Sequence, residues 1–177
     1  MDSERIVLCA TPHSDLIADP TTGQLAANAS FIATPVTGDF TIRARISHQF
    51  LSLYDAGCLL AYENESLWAK VCFECSSVGV HTAVSVITNG LSDDANAADI
   101  SEDRHWFQLA RKGNALAIHH SQNGIDWVFM RIVSLPFSRT VQVGFLAQSP
   151  LGEGGSFLFE NYQILHHAPV DLRANKF

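Results

Sequence analysis

Short runs of alternating apolar and polar residues follow one another along the chain from Asp39 onward. Turn-forming residues interrupt these runs about every eight to twelve positions, and no run has the roughly 3.6-residue period of an amphipathic helix. This pattern predicts an all-β fold, a two-sheet antiparallel β-sandwich. Nine runs are predicted to be strands: residues 40–49, 56–64, 67–76, 81–89, 105–113, 115–122, 127–135, 141–149 and 156–165.

The connections between several of these runs have the chemistry of tight hairpins, because they contain Asn and Gly, as in Lys112-Gly113-Asn114 and Gln122-Asn123-Gly124. Residues 1–38 are less regular, and we interpret them as one or two edge strands that close the sandwich. Residues 166–177 are polar with a central proline, and they are predicted to lie over the surface. Residues 1–177 are therefore predicted to form a single domain.

The run LWAKVCFE, residues 67–74, places different chemistry on its two faces. Side chains on a strand alternate, so Ala69, Val71 and Phe73 should pack in the core. The other face carries an aromatic residue, a cation, a thiol and a carboxylate, namely Trp68, Lys70, Cys72 and Glu74. Such a face either is exposed to solvent or lines a ligand groove.

Across the turn at Ser77-Val78-Gly79, hairpin pairing is predicted to bring Glu74 close to His81. The same mixed face would then continue along the next strand through Ser85 and Asn89. These residues, with the LWAKVCFE face, are our candidate site.

The segment TNGLSDDANAADISEDRHW, residues 88–106, is predicted to be the longest irregular stretch between strands, and it carries five carboxylates. Loops of this length inside a domain are often functional, and residues 90–104 are a candidate lid over the groove. Asp93, Asp94 and Asp99 lack the spacing of a calcium-binding loop, so a solvated acidic loop is the favoured interpretation.

Composition excludes several classes of function. The net charge is -7 and no cluster of Lys and Arg occurs, so nucleic acid is not an expected partner. No apolar stretch approaches the roughly 20 residues needed to cross a bilayer, and the first residues lack the pattern of a signal peptide. From these features we expect a soluble, cytoplasmic protein that does not bind membranes.

The titratable residues do not form a recognisable metal or cofactor motif. Cys72 and Cys75 are three apart on a predicted strand, so they should face opposite sides, which is unsuitable for a local disulfide or a shared zinc ion. The four cysteines are expected to be reduced, buried thiols. Neighbouring residues on a strand also face opposite sides, so each of the pairs His119-His120 and His166-His167 could supply at most one ligand to a metal site. No nucleophile elbow or phosphate-binding glycine loop is present. We expect no metal and no cofactor.

Several segments of the chain, in order, resemble the regulation of enolase protein family, whose members contain a concanavalin A-like domain of unknown function. The segments that carry the resemblance are residues 12–23, 34–40, 54–57, 88–93, 105–114, 121–127 and 144–157. The resemblance implies a jelly roll of the concanavalin A-like lectin/glucanase type. It also implies that a recurring set of residues surrounds the concave sheet: Tyr54, Asp55, Trp68, Lys70, Glu74, Thr88, Asn89, Asp93 and Ser149-Pro150.

The chain departs from this family at Leu16-Ile17, where many members have an aromatic residue. An aromatic face is a common platform for a sugar ring, so this departure weakens the case for stacking near the groove. The family has no general assigned reaction, and the resemblance therefore implies more about fold than about activity.

Three functional hypotheses follow from these patterns. The first is a protein that binds a carbohydrate or a sugar-like small molecule, with Trp68 as the stacking platform. The polar contacts would come from Lys70, Glu74, Tyr54, Asp55, Ser85, Asn89 and Asp93. The second is an enzyme in which Glu74 is the general acid or base, with a pKa tuned by Lys70 or His81. The third is a regulatory module that binds a protein partner.

Overall fold

The computed structural model describes residues 5–177, and every regular element among them is a β-strand. All nine predicted strands are present, with ends that differ from the prediction by at most one residue. The strands are β1 (Arg5–Ala10), β2 (Leu16–Ala18), β3 (Leu25–Ala27), β4 (Ser30–Thr37), β5 (Phe40–His48), β6 (Ala56–Asn64), β7 (Leu67–Cys75), β8 (His81–Asn89), β9 (Leu91–Asp99), β10 (Arg104–Lys112), β11 (Ala115–Ser121), β12 (Val128–Ser134), β13 (Thr140–Gln148) and β14 (Gly155–Leu165).

Two six-stranded sheets make up the sandwich, and every strand pairing within them is antiparallel. The first sheet has the order β1-β14-β5-β10-β11-β12, and the second has the order β4-β13-β6-β7-β8-β9. The predicted concanavalin A-like β-sandwich is therefore confirmed. The main hydrophobic core lies between the sheets and contains the inward-facing residues of both, such as Ile42, Leu59, Val71 and Phe107.

Both outer faces are covered in part by the chain ends. Residues 14–29, which include the β2–β3 hairpin, lie on the second sheet, where Leu16 packs in a separate apolar cluster. Residues near the C-terminus lie on the first sheet. Gln108 of this sheet donates a hydrogen bond to Asn175 at 2.7 Å, and Lys112 donates one to the Val170 carbonyl at 2.8 Å.

The prediction of a long acidic loop between strands is wrong. Residues 91–99 form β9, an edge strand that pairs with β8 through a tight turn at Gly90, whose φ is 84°. The Asn89-Gly90 pair is a strong hairpin signal. The strand is hard to recognise from sequence because an edge strand faces solvent and here carries Asp, Asn and Ala instead of apolar alternation.

Candidate functional site

The central strand β7 separates its side chains as the alternation predicts. Ala69, Val71 and Phe73 belong to the core between the sheets, while Trp68 and Cys72 belong to the cluster on the outer face. Every residue of β7 is nevertheless buried, because the outer face is covered as well.

The cover is the segment from Ser14 to Ala29, which is held along its length. Ser14 forms a β-bridge with Ser149, and the backbone N–H of Ala18 donates to Ser92 Oγ at 2.9 Å. Leu16 packs directly into the outer cluster. The outer face is therefore closed by the N-terminal segment rather than by residues 90–104.

Lys70 is 1% exposed and lies beneath this segment. Its Nζ donates to the Leu16 carbonyl at 2.7 Å and to Gln148 Oε1 at 2.6 Å, and it lies 3.7 Å from Asp15 Oδ1. Burial lowers the pKa of Lys70, but the interactions with Cys72 and then with Asp15 outweigh burial and raise the pKa above its ordinary value. The ammonium group is therefore charged, and it links β7 and β13 to the N-terminal segment.

Glu74 lies on the same face and is 9% exposed, and it makes no hydrogen bond to another residue in the described part of the chain. Burial raises the pKa of its carboxyl to about 8, and the charge of Lys70 only partly opposes this rise. The negative charges of Asp94 and Asp15 contribute further to it. Glu74 is therefore mainly protonated at neutral pH, a form that can donate a proton.

Asp94 completes a group of three carboxyls around Lys70. Asp94 pairs with Val86, and Val86 pairs in turn with Lys70. Asp94, Val86 and Lys70 therefore lie in one row across the sheet. Asp94 is exposed to solvent, but partial desolvation by its neighbours raises the pKa of its carboxyl, while the charge of Lys70 lowers it.

The predicted pairing of Glu74 with His81 is wrong by one residue. Glu74 pairs with Thr82, and His81 pairs with Cys75. Because side chains alternate along a strand, this shift places His81 on the opposite face of the sheet, where its ring stacks on Phe50 with centroids 3.6 Å apart.

The same shift separates Ser85 and Asn89 from Glu74, and a third predicted contact, Asp93, also lies on the other face of the sheet. Ser85 and Asn89 pair with Val71 and Leu67, the inward-facing residues of β7. Asp93 pairs with Ile87 on the inward side and forms an ion pair with Arg131 at 3.2 Å. Its neighbour Asp94 is the residue that lies on the Glu74 face.

Trp68 is fully buried, so its ring is not open to stack on a ligand in this structure. The ring lies 5.5 Å from Lys70 Nζ, and its Nε1 has no hydrogen-bond partner among the described residues.

Tyr54 and Asp55 form the turn before β6. Asp55 accepts hydrogen bonds from Ser149 Oγ at 2.7 Å and from the Ser52 N–H at 2.9 Å. Tyr54 has a φ of 66°, and its carbonyl accepts a hydrogen bond from Gln148 at 3.4 Å. This turn supports Gln148, which in turn binds Lys70.

Sequence reasoning missed Asp15, Asp94 and Gln148. The alternation of β13 could have placed Gln148 on the same face as Leu146, since the two are separated by one residue. No local signal places Asp15 near Lys70.

A cleft of about 650 Å³ opens at the opposite end of this face, between the β2–β3 hairpin and the β6–β7 turn. Tyr62 lies beside Trp68 in the sheet register and contributes a half-buried aromatic side chain. The polar residues of the cleft are Glu63, Asn64, Glu65 and Ser66. Burial raises the pKa of Tyr62, and the negative charge of Glu65 contributes to this rise.

Among residues 5–177, no group of three or more His, Cys, Asp and Glu side chains has an arrangement that would hold a metal ion. Within the same residues, no helix is long and apolar enough to cross a membrane.

The two sheets, their strand order and the covered outer face define a concanavalin A-like β-sandwich. Residues 1–167 match the family described as "Protein of unknown function (DUF1349)", and the chain belongs to that family.

A yeast sequence and a yeast crystal structure are similar to this chain over most of its length. Regulation of enolase protein 1 of Saccharomyces cerevisiae is 27% identical over 135 residues, which are 76% of this chain and 68% of that protein. A crystal structure of a functionally unknown protein from the same organism superposes with a TM-score of 0.86 at 24% identity, covering 94% of this chain and 89% of the other.

The same fold occurs in glycoside hydrolases. The xylan beta-1,4-xylosidase of Bacillus halodurans C-125 superposes with a TM-score of 0.70 at 13% identity. The superposition covers 92% of this chain but 32% of the xylosidase, so the similarity concerns the sandwich fold alone.

Proposed function

We propose that this protein binds a carbohydrate or a sugar-like small molecule on the outer face of the second sheet. The supporting observation is the cleft of about 650 Å³ beside Tyr62, whose volume lies in the range of small-molecule sites. In this proposal, Tyr62 takes the stacking role that the sequence assigned to Trp68.

The chemistry of the cleft suits a polyhydroxy ligand. Glu63 uses Oε2 to accept a hydrogen bond from the Ser138 N–H, and Asn64 uses Oδ1 to accept hydrogen bonds from Ser66. Glu63 Oε1 and the Asn64 amide NH₂ have no hydrogen-bond partner among residues 5–177, and in this proposal they bind ligand hydroxyls. Glu65 adds a further acceptor at the rim.

The test is a thermal-shift screen over monosaccharides, oligosaccharides and sugar phosphates, followed by calorimetric titration of each hit. Tyr62→Ala and Glu63→Gln should each weaken the affinity of a hit at least tenfold. The matched controls, Phe177→Ala and Glu153→Gln, remove an exposed aromatic and an exposed carboxylate elsewhere and should leave the affinity unchanged. Unchanged affinity in both cleft variants would overturn the proposal.

A second candidate function is an enzyme with Glu74 as general acid, and the observation that favours it is the raised pKa of a nearly buried carboxyl with no hydrogen-bond partner among the described residues. Lys70 and Asp94 would orient a small polar substrate after the N-terminal segment moves aside. If Glu74→Gln abolishes turnover of a hit whose affinity the Tyr62 variant leaves intact, this candidate replaces the first.

The name of the yeast relative, Regulation of enolase protein 1, favours a third candidate, a regulatory contact with a protein partner. Co-purification of one defined protein, with no hit in the small-molecule screen, would select it.

A further inference from the structure

Two thiols lie in contact beneath the N-terminal segment. Cys58 on β6 and Cys72 on β7 are directly paired in the antiparallel register, and both are fully buried. Their Sγ atoms are 2.9 Å apart, although both cysteines are free thiols in this structure.

This separation is short for two non-bonded sulfur atoms. A disulfide bond requires about 2.05 Å, so closure needs an approach of less than 1 Å. Directly opposed residues in an antiparallel pair have Cβ atoms about 4.5–5.5 Å apart, and a disulfide takes about 3.5–4.5 Å. A small shift of two neighbouring strands is therefore enough.

We propose that Cys58 and Cys72 form an oxidation site that takes a small peroxide and closes a reversible disulfide. The other two cysteines are excluded by position: Cys9 lies on β1 of the first sheet, and Cys75 is three residues from Cys72 along β7, so it faces the other side.

The reaction has two steps. The thiolate of one cysteine attacks a peroxide oxygen, the O–O bond breaks, and a sulfenic acid and a hydroxide ion form. The second thiol then attacks the sulfenic sulfur, the S–S bond forms, the S–O bond breaks, and the oxygen leaves as water. Overall, two thiols are oxidised to one disulfide, and one hydrogen peroxide is reduced to two molecules of water.

The N-terminal segment controls access to the pair. Leu16 is 3% exposed and belongs to the same apolar cluster as both cysteines. Burial raises the pKa of Cys72 and the hydrogen bond with Cys58 adds to the rise, while the charge of Lys70 opposes it. The Cys72 thiol is therefore unreactive while Leu16 covers the pair, and in this proposal the pair reacts when the segment lifts.

The experiment is carried out on the whole chain with Cys9→Ser and Cys75→Ala, so that only the pair remains. The protein is treated with hydrogen peroxide, alkylated after denaturation, and analysed by intact mass and peptide mapping. We expect a loss of two hydrogens, a peptide linked through Cys58 and Cys72, and full reversal by dithiothreitol. The oxidised protein should also have a Tm higher by several degrees.

Leu16→Ala should accelerate disulfide formation several-fold because it opens the cover. Leu25→Ala is the matched control, since Leu25 lies on β3 of the same hairpin and is 44% exposed outside the cluster. In the Cys58→Ser variant, oxidation of Cys72 should end at a sulfenic acid, which dimedone captures, because the second thiol is missing. This variant still tests the proposal if Leu16→Ala does not fold. Two fully alkylated thiols, or sulfinic acid without a disulfide, in both the parent and Leu16→Ala would overturn the proposal.

Discussion

At the scale of single residues, the distinctive feature is a buried charge that is compensated mainly by backbone and amide oxygens. The Lys70 ammonium group has short contacts to the Leu16 carbonyl and Gln148, while Asp15 lies farther away. Glu74, four residues along the strand, has no such partner among the described residues and remains protonated instead. These two residues should therefore respond to substitution in opposite ways.

Glu74→Gln should make the protein more stable than wild type at alkaline pH. The pKa of Glu74 is raised from 4.5 to about 8 on folding, so its stabilising contribution is full below pH 4.5 and is lost as pH rises to about 8. Between these limits wild type should lose about 1.4 kcal/mol of unfolding free energy per pH unit through this group. Glutamine mimics the protonated form and removes this slope.

The measurement is urea unfolding at intervals from about pH 5 to pH 9. Glu65→Gln is the control, because it changes an exposed carboxylate at the rim of the cleft. Equal slopes in wild type and Glu74→Gln would contradict the prediction.

Lys70→Met should lower the unfolding free energy by about 2–4 kcal/mol, because the Leu16 carbonyl and Gln148 Oε1 lose their donor in a buried position. Adding Gln148→Met should restore part of the loss, since an apolar pair leaves fewer unsatisfied groups. Chemical unfolding measures both effects. Lys112→Met, at an exposed lysine, should change stability by less than about 0.5 kcal/mol, and an equal loss there would refute the role of burial.

At the scale of elements, the second sheet depends on close approach between β13 and the edge strand β4. Gly144 pairs with Ala33, and a Cβ added at Gly144 would lie 2.0 Å from the Ile32 carbonyl oxygen. This oxygen belongs to the backbone, so it cannot move without displacing β4.

Gly144→Ala should therefore destabilise the protein by about 1–3 kcal/mol and loosen β4. Hydrogen exchange of residues 30–37 and urea unfolding would both report the change. Gly155→Ala is the matched control, because a Cβ there lies no closer than 3.8 Å to its neighbours. Unaltered exchange in β4 would show that the strand does not depend on this contact.

At the scale of the whole molecule, His48 joins the two sheets. It lies at the end of β5 in the first sheet, and its Nε2 lies 3.0 Å from the Phe73 carbonyl on β7 of the second. Its Nδ1 accepts a hydrogen bond from the Phe50 N–H, so the ring is neutral and Nε2 is the donor. Burial lowers the pKa of His48 to about 3 and that of His105 to about 4.

Stability should therefore pass through a maximum near pH 6.5. The contributions of His48 and His105 are full above their ordinary pKa of 6.5 and are lost as pH falls towards their folded values. The contribution of Glu74 is lost in the other direction, as pH rises to about 8. Unfolding free energies measured from about pH 4 to pH 9 would show this maximum, and a monotonic profile would contradict it.

His48→Gln should flatten the acid side of this profile, because glutamine does not take up a proton. His13→Gln is the control, since the His13 side chain is 67% exposed. An unchanged acid side in His48→Gln would mean that His48 does not contribute to the loss of stability in acid.

The sequence alone determined the positions of nine strands and the two faces of β7, because alternation is a local property that the chain must satisfy to bury one side. The sequence did not reveal β9, because the residues of this strand face solvent. It also gave the wrong partner for Glu74, because a pairing error of one residue moves every side chain of the neighbouring strand to the other face of the sheet. Only the tertiary structure decided what covers Lys70. Its partners Leu16 and Gln148 are 54 and 78 residues away along the chain, and no local pattern encodes contacts over such separations.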